Sequence, residues 1–226
     1  MIRAIAFDLD DTLLDTSGLL VPAATQHSFK ILIQHGLKLS LAECEKQRLE
    51  MIRTVSHKDV FLNLALLYGS AATQAVVPQA IAAFYEPPLP ANLPLLPGAR
   101  QNIDYLKKNN YLLYVVTAGA DATQRGKVKA LGIQDDFLKV YVIDSLHQQR
   151  KKAAFLDIIK LNAISNKELL CIGNSLTSEI YDAINIGAKS CYFEFGDERG
   201  KMSSVKSEQP DYHIYNHKDL ISTCHL

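Results

Sequence analysis

Met1–Ser17 reads MIRAIAFDLDDTLLDTS. The apolar run Ile2–Phe7 stops at Asp8, Asp10 and Asp11, with Thr12 directly after them. A short, continuous apolar run ending in polar residues is the pattern of a strand buried on both faces of a parallel sheet. Ligands of open α/β sheets bind just beyond the carboxyl ends of such strands. Carboxylates crowded at that place repel one another, and a divalent cation with oxygen ligands offsets the repulsion. The opening segment therefore predicts a strand with a metal-dependent site at its tip.

Working outward, the next eighty residues change character. Thr16–Leu96 shows helical periodicity and little strand signal. Helices are expected over Ala23–His35, Leu41–Val55, Lys58–Leu67 and Gln74–Phe84, the second opening after Ser40 as N-cap with Glu43 three residues on. Glu86–Gly98, EPPLPANLPLLPG, is too rich in proline for a helix interior and reads as a linker.

From Ala99 onward apolar runs alternate with helical segments. Strands are expected at Tyr111–Val116, Leu138–Ile143, Leu169–Ile172 and Ser190–Phe195. Helices fall between them at Arg100–Asn109, Asp121–Leu131, Lys151–Leu161 and Ser178–Ile186, with Gly132 and Gly187 at C-cap positions. Alternation of this kind predicts an α/β fold, a parallel sheet with helices on both faces. The first strand joins that sheet, so residues 1–15 and 97–226 form the core and residues 16–96 a helical insertion.

Bulk properties narrow the class of function. At 226 residues the chain can bury one large core or two small ones. Lysine plus arginine equals aspartate plus glutamate at 24 each, so no basic field recruits nucleic acid or an anionic membrane. No apolar stretch approaches the roughly 18 residues of a membrane span, and Asp8 interrupts the first run too early for a secretory signal. Cys44, Cys171, Cys191 and Cys224 are scattered, without metal-binding spacing, and Cys171 and Cys191, within apolar runs, read as reduced, buried thiols. A cytoplasmic protein, monomer or homodimer, is expected.

Further polar groups stand at the later strand ends. Thr117 ends VVTAG, and its hydroxyl with the amides of Ala118 and Gly119 would make a neutral phosphate clamp. Arg150, Lys151 and Lys152 open a helix, where cations oppose the helix dipole unless an anion is held there. Gly173–Glu179, GNSLTSE, brings the oxygen ligands Asn174 and Glu179 to the same edge, with Ser175 and Thr177 open to simple capping roles.

In that order these segments resemble the four motifs of the haloacid dehalogenase superfamily, over the whole chain. Asp8–Thr12 is similar to its DxDxT motif, Thr117 to the second motif's hydroxyl residue, the Lys151 region to the third motif's lysine, and Gly173–Glu179 to the GDxxxxD motif. The helical insertion resembles the family's C1 cap on a Rossmann-like, three-layer α/β/α core. The resemblance implies a Mg2+-dependent phosphatase of small phosphorylated metabolites. Asp8 would be the nucleophile that forms an aspartyl-phosphate, and Asp10 the acid and base, its proton affinity raised by Asp8 and a low-dielectric cap. Asp8, Asp10 and Asn174 would hold the metal, and Thr117, Ala118 and Lys151 the phosphate. Asp10 favours phosphate esters over haloacids, since a halide leaves without a proton.

The same resemblance marks where this chain departs. Asn174 and Glu179 stand where the family has aspartates, which predicts weaker Mg2+ binding and, for Glu179, a role in orienting a water or holding Lys151 rather than touching the metal. Lys151, four residues before Phe155, is favoured over Lys152 as the motif lysine. Lys127 and Lys129 are expected on the surface, although the Gln124-x-x-Lys127 pattern recurs in some C1 members. In the insertion, His27, Arg53, His57 and Lys58 are candidates to meet a leaving group, and Lys30, Lys38, Lys46 and Lys58 are not ranked for the Schiff-base role of phosphonatases. Tyr68, Phe84 and Tyr85 read as core.

Overall fold

Six strands run parallel in the order β3-β2-β1-β4-β5-β6. The computed structural model describes residues 1–52, 54–144, 149–196 and 202–226, so Arg53 lies outside the described residues. The strands are β1 (Ala4–Phe7), β2 (Leu112–Ala118), β3 (Lys139–Ile143), β4 (Leu169–Gly173), β5 (Lys189–Phe193) and β6 (Tyr212–Ile214). Among the described residues the helices are α1 (Thr16–Leu19), α2 (Val21–Gln34), α3 (Leu41–Met51), α4 (His57–Tyr68), α5 (Ala71–Ala75), α6 (Val77–Tyr85), α7 (Ala99–Lys108), α8 (Asp121–Ala130), α9 (Lys152–Leu161), α10 (Glu179–Ile186) and α11 (Leu220–Thr223).

β1 lies between β2 and β4, in register Phe7 with Val115 and Phe7 with Ile172. The chain leaves β1 toward β2 and β3, then crosses back to β4 on the other side. That reversal opens a crevice beyond the carboxyl end of β1, where an open α/β sheet binds its ligand. All four β1 residues are buried, as a central parallel strand requires. On one face Ala4, Ala6, Tyr114, Val116 and Cys171 pack against Phe155 and Ile158 of α9 and Ala183 of α10. Side chains alternate along a strand, so Phe7 meets the opposite layer and packs edge-on against Phe137 at 6.2 Å.

The chain divides into two compact units, 1–17 with 89–226, and 18–88. In the first, the Leu93 amide donates to the Ala130 carbonyl and the Leu96 amide to the Leu13 carbonyl, so the 89–96 segment is part of that unit. The second is all helical. Phe29, Leu32, Phe61 and Leu64 fill its centre, and α3 and α4 each open with a reciprocal capping box, Ser40 with Glu43 and Ser56 with Asp59.

Several elements differ from the sequence expectation. The helix expected over Gln74–Phe84 is two, α5 and α6, because Pro78 has no amide hydrogen and fits only the first turn of a new helix. β2 runs two residues beyond Val116, so Thr117 lies inside the strand. β6 was not expected: three residues after Pro210, two of them half-buried, give too little periodicity to register. Among the described residues, no helix is long and apolar enough to cross a membrane. All four cysteines are free and buried.

Candidate active site

The β1 tip turns sharply. The Asp8 amide still donates to the Ile172 carbonyl, extending the β1–β4 ladder, while the Leu13 and Leu14 amides fold back onto the Leu9 carbonyl. Asp11 takes a left-handed backbone, φ 52°, and its carboxylate accepts from the Ser17 amide at 2.8 Å and the Ser17 hydroxyl at 2.5 Å. Thr12 is fully buried, and its carbonyl accepts from His217 Nε2 at 2.7 Å. These bonds fix the backbone that presents Asp8 and Asp10.

Asp8 is buried against Lys151, whose ammonium lies 2.7 Å from Asp8 Oδ1 and 2.8 Å from Glu179 Oε2. The other oxygen of Glu179 accepts from the Ser175 amide at 2.6 Å. Glu179 thus clasps both Lys151 and the loop after β4. It reaches there because residue 173 is glycine: a Cβ at that position would collide with the Glu179 side chain. Asp8 is raised to about 7: burial pushes it up most, the Lys151 ammonium pulls it down, and the Glu179 and Asp10 carboxylates add to the rise. Burial works against the charge on Lys151, but Asp8 and Glu179 more than compensate and hold it protonated.

The basic run divides accordingly. Lys151 is inside and Lys152 exposed, its backbone amide donating to Asp182 Oδ2 at 3.1 Å. Arg150 donates to Asp182 Oδ1 at 2.7 Å and to the Thr177 carbonyl at 3.2 Å, with its guanidinium over the Tyr181 ring. The anions that make cations tolerable at the start of α9 are thus Asp8, Glu179 and Asp182 of the protein itself.

Asp10 has a second, separate set of partners. Its Oδ1 accepts from Thr16 Oγ1 at 2.5 Å and Lys127 Nζ at 2.7 Å, and its Oδ2 from Gln124 Nε2 at 2.8 Å. Two expectations change here. Lys127 is buried, since α8 turns its Thr123, Gln124, Lys127 and Val128 face inward, whereas Lys129 is exposed as expected. Asp10 is lowered rather than raised: burial would raise it, but the Lys127 ammonium and the three hydrogen bonds outweigh burial.

At the β2 tip Thr117 is fully buried, and its Oγ1 accepts from the same Gln124 Nε2 at 2.5 Å. The Gly119 amide is spent on the Ile143 carbonyl of β3, so it does not join a clamp. Successive amides of a strand point to opposite edges, which directs that of Ala118 toward β1. Asn174, beyond β4, is buried and donates through Nδ2 to the Phe195 carbonyl at 3.1 Å, leaving its amide oxygen for another partner.

Among the described residues no three His, Cys, Asp or Glu side chains form a closed metal cage. Mg2+ does not need one; it takes one or two carboxylates and completes its shell with water and phosphate oxygens. The hard oxygens of Asp8, the Asp10 carbonyl and Asn174 are a donor set of that type. The charges agree: among the described residues, the ion pairs of Asp8, Asp10 and Glu179 are with Lys127 and Lys151, three carboxylates to two ammonium groups. The donor chemistry fits Mg2+.

Of the candidates in the helical unit, His27 and Lys58 are exposed. His57 is buried, stacked on Phe84 at 4.4 Å and within 3.2 Å of Arg48 Nη1. Tyr68 and Phe84 pack on that unit's core.

A Rossmann-like sheet with carboxylates at the tip of its central strand and a buried lysine beside them defines an α/β enzyme of the strand-end type. Residues 5–193 match the haloacid dehalogenase-like hydrolase family; the chain belongs to it. It is 31% identical over 204 residues to a glyceraldehyde 3-phosphate phosphatase of Pyrococcus abyssi, covering 87% of this chain and 83% of that one. The fold is similar to that of a predicted phosphoglycolate phosphatase from Haemophilus somnus, with TM-score 0.74, 20% identity and coverage of 98% and 97%. It is similar as well to the Bacillus subtilis HAD-hydrolase YfnB, solved bound to magnesium, with TM-score 0.68, 22% identity and coverage of 98% and 97%.

Proposed function

We propose that this hydrolase releases inorganic phosphate from small phosphate monoesters through a phosphoryl-enzyme on Asp8. The observation that carries the reading is the β1 tip itself, where Asp8 lies against the buried Lys151 ammonium and Asp10, still open to a substrate, is held by Lys127, Gln124 and Thr16.

Asp8 attacks phosphorus, an Asp8 oxygen–phosphorus bond forms, and the bond to the ester oxygen breaks. Asp10 gives its proton to that leaving oxygen. It then takes a proton from the water that attacks the phosphoryl-Asp8, which frees phosphate and restores the enzyme. A phosphate dianion entering beside Asp8 adds negative charge near Asp10 and favours its protonation for the first step. Lys151, the Thr117 hydroxyl and the Ala118 amide hold the phosphoryl oxygens and stabilise their charge in the transition state. Mg2+ would be held by Asp8, the Asp10 carbonyl and Asn174. When bound, it supplies positive charge that keeps Asp8 ionised and neutralises the phosphate.

The chain is a phosphoric monoester hydrolase, and its substrate is a small phosphorylated metabolite. Glyceraldehyde 3-phosphate is the first to test, on the strength of the Pyrococcus abyssi relative. The test is phosphate release from a panel containing this ester, phosphoglycolate, nucleotides and p-nitrophenyl phosphate, with Mg2+ added or chelated. Turnover that needs Mg2+ and vanishes in Asp8→Asn supports the reading; no release from any ester overturns it.

A further inference from the structure

The residues around Asp10 do more than balance a charge. Lys127 carries an ammonium into a buried position, 8% exposed at the side chain. It approaches Asp10 Oδ1, while Gln124 approaches Oδ2, so both carboxylate oxygens are held from one helix face. Thr16 holds Oδ1 from the chain just after the tip. Three donors on two oxygens leave the carboxylate plane little freedom to turn. The second hydrogen of the Gln124 amide goes to Thr117 Oγ1. One side-chain amide therefore bridges the group that handles the proton and the group that meets the phosphate. Asp10 itself stays 30% exposed, open to a substrate. The opposite face of α8 contrasts with this: Arg125 pairs locally with Asp121, and both are exposed.

We propose that Gln124 and Lys127 are positioning residues for proton transfer to the leaving group, holding the Asp10 carboxyl at a fixed offset from the Thr117 phosphate clamp. The proposal rests on the reading of Asp10 as proton donor. Proton transfer matters in proportion to how poor the leaving group is. An alkoxide needs the proton as the ester bond breaks, and p-nitrophenolate hardly does. A residue that only supports the fold affects both esters alike.

The experiment compares kcat/KM, which reports the step that expels the leaving group, for an alkyl phosphate and p-nitrophenyl phosphate. Wild type, Asp8→Asn, Asp10→Asn, Lys127→Met, Lys127→Arg and Gln124→Met are measured side by side, with folding checked by circular dichroism. General acid catalysis typically contributes about 10²–10⁴-fold. Lys127→Met and Gln124→Met, which misplace the donor without removing it, lose roughly 10- to 100-fold on the alkyl ester and about threefold or less on the aryl ester. Lys127→Arg recovers most of the loss, and Asp10→Asn shows the same selectivity more strongly. Equal losses on both esters, or none on either, overturn the proposal. Should Lys127→Met not fold, Gln124→Met decides; should neither fold, the pair supports the structure and the proposal fails. Wild-type turnover that Asp8→Asn abolishes keeps the phosphatase reading intact whichever way the variants fall. A wild type inactive on both esters sinks that reading, and this proposal with it.

Discussion

Asp8 and Asp10 leave the same strand tip two residues apart, yet they occupy unlike regions of the molecule. On the Asp8 side everything is buried: Lys151 and Glu179 are 3% and 2% exposed, and one ammonium is shared between two carboxylates. On the Asp10 side the carboxylate is partly open, with an ammonium of its own and two further donors. Burial with a shared cation raises one group; an unshared cation with hydrogen bonds lowers the other. The lesson is that proton affinity follows the ratio of counter-charge to burial, and neither residue type nor closeness along the chain sets it.

The comparison breaks most visibly at Asp8. Asp8→Asn keeps the shape and removes the proposed nucleophile, so phosphate release falls by about 10³-fold or more, read in a steady-state assay. A residual rate near wild type would assign the chemistry elsewhere. Next comes Lys151→Met, which removes the shared cation and leaves Asp8 and Glu179 facing each other. Loss of one preorganised donor of this kind costs about 10²–10³ in kcat. Because two buried carboxylates are left uncompensated, a lower midpoint in urea denaturation is expected as well.

A smaller effect tests the neutral member of the proposed metal ligands. Asn174→Asp adds a unit of negative charge where Mg2+ would bind, and the Mg2+ concentration for half-maximal activity falls by about tenfold. Two unit charges at ~4 Å interact by about 4 kcal/mol at an effective dielectric of 20, well above the ~1.4 kcal/mol that tenfold requires. An unchanged Mg2+ requirement would remove position 174 from the ligand set.

The slightest expected effect lies under the turn that carries both carboxylates. His217 donates through Nε2 to the Thr12 carbonyl, and its Nδ1 accepts from Asn102, an arrangement only the neutral ring satisfies. Burial lowers its proton affinity, the bond to Thr12 opposing in part. The folded value lies below the unfolded one, so between the two the unfolded chain binds more protons. This part of the stability is therefore complete above the unfolded value near 6.5 and is lost as pH falls through the folded value. Urea midpoints measured from pH 7.5 downward should decline, and His217→Gln should flatten that decline.

How much of this could be read in advance depended on range. The central strand, the alternation after Ala99 and the capping boxes are local patterns, written within a few residues of one another. Lys151 was favoured over Lys152 from its spacing to Phe155, and the fold buries Lys151 while leaving Lys152 exposed. The place of Lys127 was missed although a signal existed. Gln124, Lys127, Val128 and Leu131 share one helical face, and a lysine on an inward face needs a carboxylate. Which carboxylate it meets is a pairing across 117 residues of sequence, and no periodicity encodes that.

By itself, the sequence determined the class of fold and the chemistry available at the strand tips, because strand burial and motif order are properties of neighbouring residues. The tertiary structure decided which groups share a counter-ion. It set Lys151 between Asp8 and Glu179, and Lys127 with Gln124 against Asp10. Electrostatic interactions depend on separation in space and on burial, and both exist only once the sheet has brought β1, β2 and β4 side by side.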